Sequence, residues 1–181
     1  MKIKEGKNEQ GIIVFNPEIT HDHTDYHSTY LDTMYAIEKQ HFWFIARKNF
    51  ILKTFLKFIA KDNSILEIGC GTGSISQALM ENGYINISVN DIHINGLQYA
   101  KAFGLKNLYQ FNLFDAPFVK EFDVIAMFDV LEHLENDVEA LQCAHKMLKN
   151  KGKVVLTVPA HMWLWSQDDA RGHKRRYTLK T

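Results

Sequence analysis

The sequence predicts an α/β protein: a doubly wound, mostly parallel sheet with helices on both faces. Three observations carry this. Strand-like and helix-like segments alternate from Ser64 to Val158. A glycine-rich turn, Gly69-Cys70-Gly71-Thr72-Gly73, joins the first such strand to the first such helix. Acids or amides, namely Asp91, Asn112 and Asp129, stand at the ends of the next three strands. Alternation of this kind favours parallel pairing with right-handed crossovers, and ligands then bind beyond the strand C-termini.

Each element has a local cause. Residues 1–25 are polar apart from the island Ile12–Phe15 and read as an N-terminal arm with at most one short strand. Residues 26–60 contain no proline or glycine, and Tyr30, Met34, Ile37, Phe50, Ile51, Phe55 and Phe58 recur at helical spacing. Two helices are expected over 26–61, broken near Gln40–Phe44. Residues 62–181 form the ligand-binding domain. In it, Ser64–Ile68 is a strand and Ser74–Glu81 a helix closed by Asn82-Gly83, a pair suited to a left-handed C-cap. Ile85–Asn90 is a strand, Asn95–Phe103 a helix ended by Gly104, and Leu108–Phe111 a strand. Phe122–Phe128 is almost wholly apolar, as a strand covered on both faces requires. Val138–Lys149 is a helix ended by Asn150-Lys151-Gly152, and Lys153–Val158 is a strand stopped by Pro159.

Composition narrows the function. The chain of 181 residues has 46% hydrophobic and 23% charged residues, ordinary values for one globular domain. With 21 basic and 21 acidic side chains, no net field draws it to nucleic acid or anionic lipid. No apolar run is long enough to span a bilayer, and MKIKEGKNEQG lacks the apolar core of a signal peptide. The cysteines are Cys70, inside the glycine turn, and Cys143. A reducing, cytoplasmic setting is expected.

The turn itself is selective. Nicotinamide-binding turns read G-x-G-x-x-G, whereas this one reads G-x-G-x-G, and no P-loop Gly-Lys-Ser/Thr follows. Glu67 beside it suits an amino-bearing ligand and would repel a pyrophosphate. Asp91 can accept both hydroxyls of a ribose. Ile92 can pack on a purine, and the amide of Asn112 can donate to or accept from a base edge.

Taken together these segments resemble the class I S-adenosylmethionine-dependent methyltransferases. LEIGCGTG resembles that family's first motif and SVND its acid after the second strand. FNLFDAPF, FDVIAMFDVLEHL and MLKNKGKVVLTVPA resemble the segments around strands three, four and five, so that residues 62–160 follow the family's order. HFWFIAR and VPAHMWLWSQDDARGHKRRY further resemble the bacterial type 11/12 small-molecule methyltransferases. The resemblance implies a Rossmann-like fold that binds S-adenosylmethionine and releases S-adenosylhomocysteine. It implies that Gly69, Cys70, Gly71 and Gly73 pass the methionine part, with Glu67 near its amino group. Asp91 would hold the ribose, Ile92 would flank adenine, and Asn112 and the Leu113 N–H would meet the ring. Asp129 would stand opposite the turn. Trp43 and Arg47 would form a lid whose arginine pairs the cofactor carboxylate, or else an aromatic stripe that packs a helix.

The implied reaction is methyl transfer to an O, N or C nucleophile of a small molecule. Alternatives are an RNA or protein methyltransferase, or a cofactor-binding module without catalysis. The Pro-Pro-aromatic and Pro-Cys signatures of base-methylating enzymes are missing after strand four. No catalytic residue stands out. His133 and His161 are the candidate bases, and His133 reads more readily as a locally bonded histidine. Arg171, His173, Lys174, Arg175 and Arg176 suit a solvated loop or an anionic small substrate better than nucleic acid. His21, Asp22, His23, Asp25 and His27 have metal-ligand types but read as a solvated arm, and no metal centre is expected. The family's strands six and seven have no counterpart after Pro159. The fold is therefore expected to be truncated after strand five, leaving an edge open to self-association unless the N-terminal arm or another chain covers it.

Overall fold

A computed structural model describes residues 5–19, 22–23, 26–167 and 169–180. The alternating segments form β5 (Ser64–Ile68), α3 (Ser74–Glu81), β6 (Asn86–Asn90), α4 (Ile94–Ala102), β7 (Asn107–Gln110), β8 (Phe122–Phe128), α5 (Asp137–Met147) and β9 (Leu148–Thr157). They are preceded by β1 (Lys7–Glu9), β2 (Ile12–Val14), a two-residue ladder of β3 (Asp22–His23) with β4 (Tyr26–His27), α1 (Ser28–Ile37) and α2 (Phe42–Phe58). The break between the two N-terminal helices falls at 38–41, as expected.

The main sheet has the order β1-β2-β7-β6-β5-β8-β9, parallel except for the β1–β2 pair. From β5 the chain winds outward through β6 and β7, then returns to add β8 and β9 on the other side. The direction of winding thus reverses at β5, and the crevice beyond β5 and β8 is the topological switch point. Alternate residues of the central strands feed two separate cores. Ile65, Val124 and Ala126 join Ile51, Phe55, Leu79 and Leu97 on the α2–α3–α4 face. Leu66, Ile125 and Met127 join Phe111, Ala140 and Met147 on the α5 face. This two-residue period is why β8 reads as an unbroken apolar run.

The sheet has seven strands; among the described residues no strand follows β9, as expected, whereas the N-terminal arm, expected to hold at most one short strand, supplies two. The extra strands come from the N-terminus. Gln10 and Gly11 both have positive φ, 53° and 84°, which closes a tight hairpin. Ile12 and Val14 are buried, and β2 runs parallel to β7 through Ile13–Tyr109 and Val14–Gln110. The arm therefore seals the edge beside β7 and leaves β9 alone. Among the described residues β9 pairs only with β8, and Val154 on it is exposed. The Asn150-Lys151-Gly152 turn is absorbed into β9 as an irregularity, with Lys151 at φ 65° and the register jumping from Phe122–Leu148 to Val124–Lys153.

Candidate functional site

The glycine turn is held open by its own backbone geometry. Gly69, Gly71 and Gly73 have φ of 66°, 56° and 81°, a region that L side chains resist. Space is short as well: a Cβ on Gly69 would lie 2.6 Å from Val130 Cγ2, and one on Gly73 2.7 Å from Ala100 Cβ and 3.0 Å from its Cα. Gly73→Ala is thus expected to cost about 3 kcal/mol, combining left-handed strain with overpacking. In a thermal melt that corresponds to a drop of roughly 10 °C. Gly104→Ala is the control. Its φ is 94°, but the nearest atom, Met80 Cε, is 3.7 Å from the added Cβ. Strain alone, about 1 kcal/mol, is expected there.

Two buried carboxyl groups flank the turn. Asp91, directly after β6, accepts from the Gly71 N–H at 2.8 Å and the His93 N–H at 2.9 Å. Burial still pushes its carboxyl up to about 6 against these donors. Glu67, on β5, is 2% exposed and accepts from the Ser76 hydroxyl. Burial pushes it up to about 7; Ser76 and Arg47 pull it back, and Asp91 adds to the rise. Cys70 is buried, and its thiol is raised for the same reason.

The remaining adenine-side candidates line up less simply. Ile92 is half-buried and Leu113 buried. Asn112 is exposed, and its Oδ1 already caps a short 3-10 turn by accepting from the Phe114 N–H at 3.0 Å. One lone pair on that oxygen and the side-chain NH2 are left to meet a ligand. On the other side, α1 covers the turn. Leu31 is 2% exposed, with Cδ2 3.6 Å from where a Gly71 Cβ would be, and Thr72 Oγ1 donates to Glu38 at 2.7 Å. Tyr35 stacks on Tyr99 at 4.1 Å and fastens α1 to α4.

Opposite the turn, Asp129 follows β8 with φ 56° and is fixed from three directions. Its N–H donates to Thr157 O at 3.0 Å, its Oδ1 accepts from Thr157 Oγ1 at 2.9 Å, and its Oδ2 meets Arg47 Nε at 2.6 Å. Arg47 Nη2 also donates to Phe128 O at 3.1 Å, and the guanidinium lies 5.5 Å from the Trp43 ring centroid. Arg47 is therefore bound to the end of β8. Trp43, Ala46, Arg47, Phe50, Asp129 and Thr157 line a cleft of about 340 Å³. A larger hollow of about 470 Å³ on the outer face of α5 is lined by residues of that helix alone and meets none of the strand-end groups.

The second histidine candidate falls elsewhere. His161, at φ 60°, gives its backbone N–H to Tyr177 O at 2.8 Å, while its exposed ring lies beside Trp163. His133 lies in a 3-10 turn, Leu131–His133, just past Asp129, with its ring perpendicular to His173 at 4.7 Å between centroids. The basic run folds back on this turn. Arg176 makes two contacts of 2.7 Å to Asp169, Arg175 meets Asp137 at 3.1 Å, and Lys174 meets Glu135 at 3.0 Å. These cations are each paired with an acid of the chain, although Glu135 is itself at the surface. The side chain of Arg171, most of the His21–His27 cluster and the arm's first residues lie outside the described residues.

Sequence reasoning passed over Leu31, Glu38, Glu132, Thr157 and Asp169. Glu132 is fully buried, and its carboxyl is pushed up to about 8 by burial and by Asp129 and Asp169, with Arg47 opposing. Its signal was available: a Glu-His pair that begins three residues after a strand-end acid. Asp169 had none, because an acid in a polar loop reads as solvated until its arginine is placed.

Comparison with known proteins bears on the family and the fold. A 101-residue stretch is 29% identical to the ubiquinone biosynthesis O-methyltransferase of Rickettsia bellii, covering 53% of this chain and 42% of that protein. A stretch of 100 residues is 31% identical to phosphoethanolamine N-methyltransferase 3 of Arabidopsis thaliana, covering 51% of this chain and 20% of the other. The matched part is thus less than half of either relative. Among solved structures, the YcgJ protein of Bacillus subtilis superposes with a TM-score of 0.60 at 18% identity, over 74% of this chain and 62% of that one. The DszA carbon methyltransferase gives 0.59 at 20% identity, over 73% and 40%. These two likenesses concern the fold. A family model described as a methyltransferase domain matches residues 35–180, well over half of the sequence, and the chain belongs to that methyltransferase-domain family.

Proposed function

We propose that the chain transfers a methyl group from S-adenosylmethionine to a nucleophile, foremost an oxygen, of a small molecule. The observation that carries this reading is the pair of buried carboxyl groups, Glu67 and Asp91, on either side of a turn of positive-φ glycines. Both are held well above their ordinary range by burial, so each gains from a ligand that brings a cation or hydroxyl donors. An amino-acid ammonium at Glu67 and a ribose diol at Asp91 meet that need together. Each oxygen of Asp91 takes one backbone N–H and keeps a further lone pair for a hydroxyl. Ile92 and Leu113 offer an apolar slot for adenine, and the Asn112 side-chain NH2 can donate to the ring edge.

The cofactor supplies an electrophilic methyl group on a sulfonium. The protein's part is alignment and exclusion of water. Leu31 and the Glu38–Thr72 contact close α1 over the turn. Trp43 and Phe50 wall the cleft in which an acceptor with an apolar body would lie, above Asp129 and Thr157. Arg47 holds Asp129 in place. Two of its nitrogens are engaged, and the guanidinium has further N–H donors for a ligand carboxylate. The small-molecule relatives and the neutralised basic run favour this acceptor class over RNA.

Calorimetric titration tests the reading. S-adenosylmethionine and S-adenosylhomocysteine are both expected to bind with one-to-one stoichiometry, since both carry the ammonium and the ribose. The absence of heat with either ligand at near-millimolar concentration would sink it. Binding without turnover on quinol, catechol or amino-alcohol acceptors would favour a binding module.

A further inference from the structure

Beyond the end of β8 lies a second group of chemistry-bearing residues that the methyl-transfer reading does not use. Ligand atoms of Glu132, His133 and His173 all lie within 4.8 Å of one another. Glu132 is 0% exposed; its own backbone N–H pulls locally on its carboxyl, and no other described residue donates a hydrogen bond to either oxygen. A buried carboxyl group left in this state is costly unless a cation joins it. His173 is aimed by Asp169, whose Oδ1 lies 2.8 Å from Nδ1, so the Nε2 lone pair faces Glu132 Oε1 at 4.0 Å. That separation is too long for a hydrogen bond. It exceeds the roughly 3.4 Å between donors around a tetrahedral ion at about 2.1 Å, so the two side chains would close by about half an ångström on an ion held between them.

Asp169 is itself immobilised by Arg176 and by the N–H and hydroxyl of Ser166. A carboxylate that holds the far nitrogen of a ligating histidine is the usual outer support of a metal centre. We propose that Glu132, His133 and His173 bind one divalent transition-metal ion, with Asp169 as the positioning residue. Two imidazoles and one carboxylate select a borderline ion such as Zn²⁺, Co²⁺ or Ni²⁺ over Mg²⁺ or Ca²⁺, which prefer oxygen ligands. Three protein ligands leave room for water or for an oxygen of a bound acceptor. His173 keeps 21% of its side chain exposed, and Asp129 and Arg47 at the acceptor cleft are close enough to act electrostatically on Glu132.

Cobalt titration of the chelator-stripped full chain tests this without cofactor or acceptor, so its failure and that of the methyl-transfer reading are separable. One equivalent of Co²⁺ is expected to develop visible d–d absorption, and Zn²⁺ should displace it while equimolar Mg²⁺ does not. Glu132→Gln, which keeps size and shape, and His173→Ala should each weaken binding about a hundredfold, and Asp169→Asn about tenfold or more. Substituting alanine for His21, His23 and His27 together should change nothing. The proposal is overturned by absence of the cobalt band, by a band that survives in both Glu132→Gln and His173→Ala, or by its loss only in the arm variant. Thermal melts accompany each variant; if His173→Ala does not fold, Glu132→Gln alone decides.

Discussion

Asp91→Ala is expected to weaken binding of S-adenosylmethionine about a hundredfold, the loss of two hydrogen bonds to a charged acceptor at about 1.5 kcal/mol each. The effect should fall equally on S-adenosylhomocysteine, because the ribose is common to both. The substitution also strips the Gly71 and His93 N–H groups of their acceptor, so a fall in thermal stability should accompany it. Asp91→Asn separates the two consequences. It can still accept one of the N–H groups but carries no charge for the diol, so it should recover most of the stability and little of the affinity. Normal binding by Asp91→Ala, measured by calorimetry, would remove Asp91 from the site.

Binding should also strengthen with pH. Glu67 in the free protein sits at about 7 and Asp91 at about 6, and the ligand needs both ionised. Between pH 5.5 and 7 the ionised fraction of Glu67 rises about fifteenfold and that of Asp91 about fourfold, so affinity should climb by well over tenfold. Proton release on binding, read from titrations in buffers of different ionisation enthalpy, should be largest below pH 7. Glu67→Gln should leave only the shallower Asp91 step. Folding responds with the opposite sign. Glu67 titrates near 4.5 when unfolded and about 7 when folded, so its stabilising contribution is complete below the unfolded value. It is lost as pH rises through 7, by up to about 3 kcal/mol in the unliganded chain. A free protein that melts at the same temperature at pH 5 and pH 8, with other groups accounted for through Glu67→Gln, would contradict this.

The sheet of β5 to β9 was legible from residues because its signals are local. Apolar runs such as Phe122–Phe128 are bounded by charged residues, and the turn at 69–73 admits few alternatives to a strand-to-helix corner. Asp91, Asp129 and Glu67 were legible as acids gathered at one edge of the sheet for the same reason, since a parallel sheet delivers every strand end to one side. The N-terminal hairpin was not. Lys7–Glu9 and Ile12–Val14 are three residues each, too short to show alternation, and what fixes them is the exposed edge of β7 more than ninety residues later. The expectation that Arg47 pairs with a ligand carboxylate likewise took no account of Asp129, which lies 82 positions away and 2.6 Å from Nε.

Sequence alone thus determined the family, the parallel sheet and the acids around the glycine turn, because periodicity and turn chemistry act within a few residues. Tertiary structure alone decided which charges meet. It paired the basic run with Asp169, Asp137 and Glu135, buried Glu132 with no side-chain partner among the described residues, and set His133 and His173 beside it. Charge pairing and desolvation depend on distance in space, and that quantity is absent from the linear order of residues.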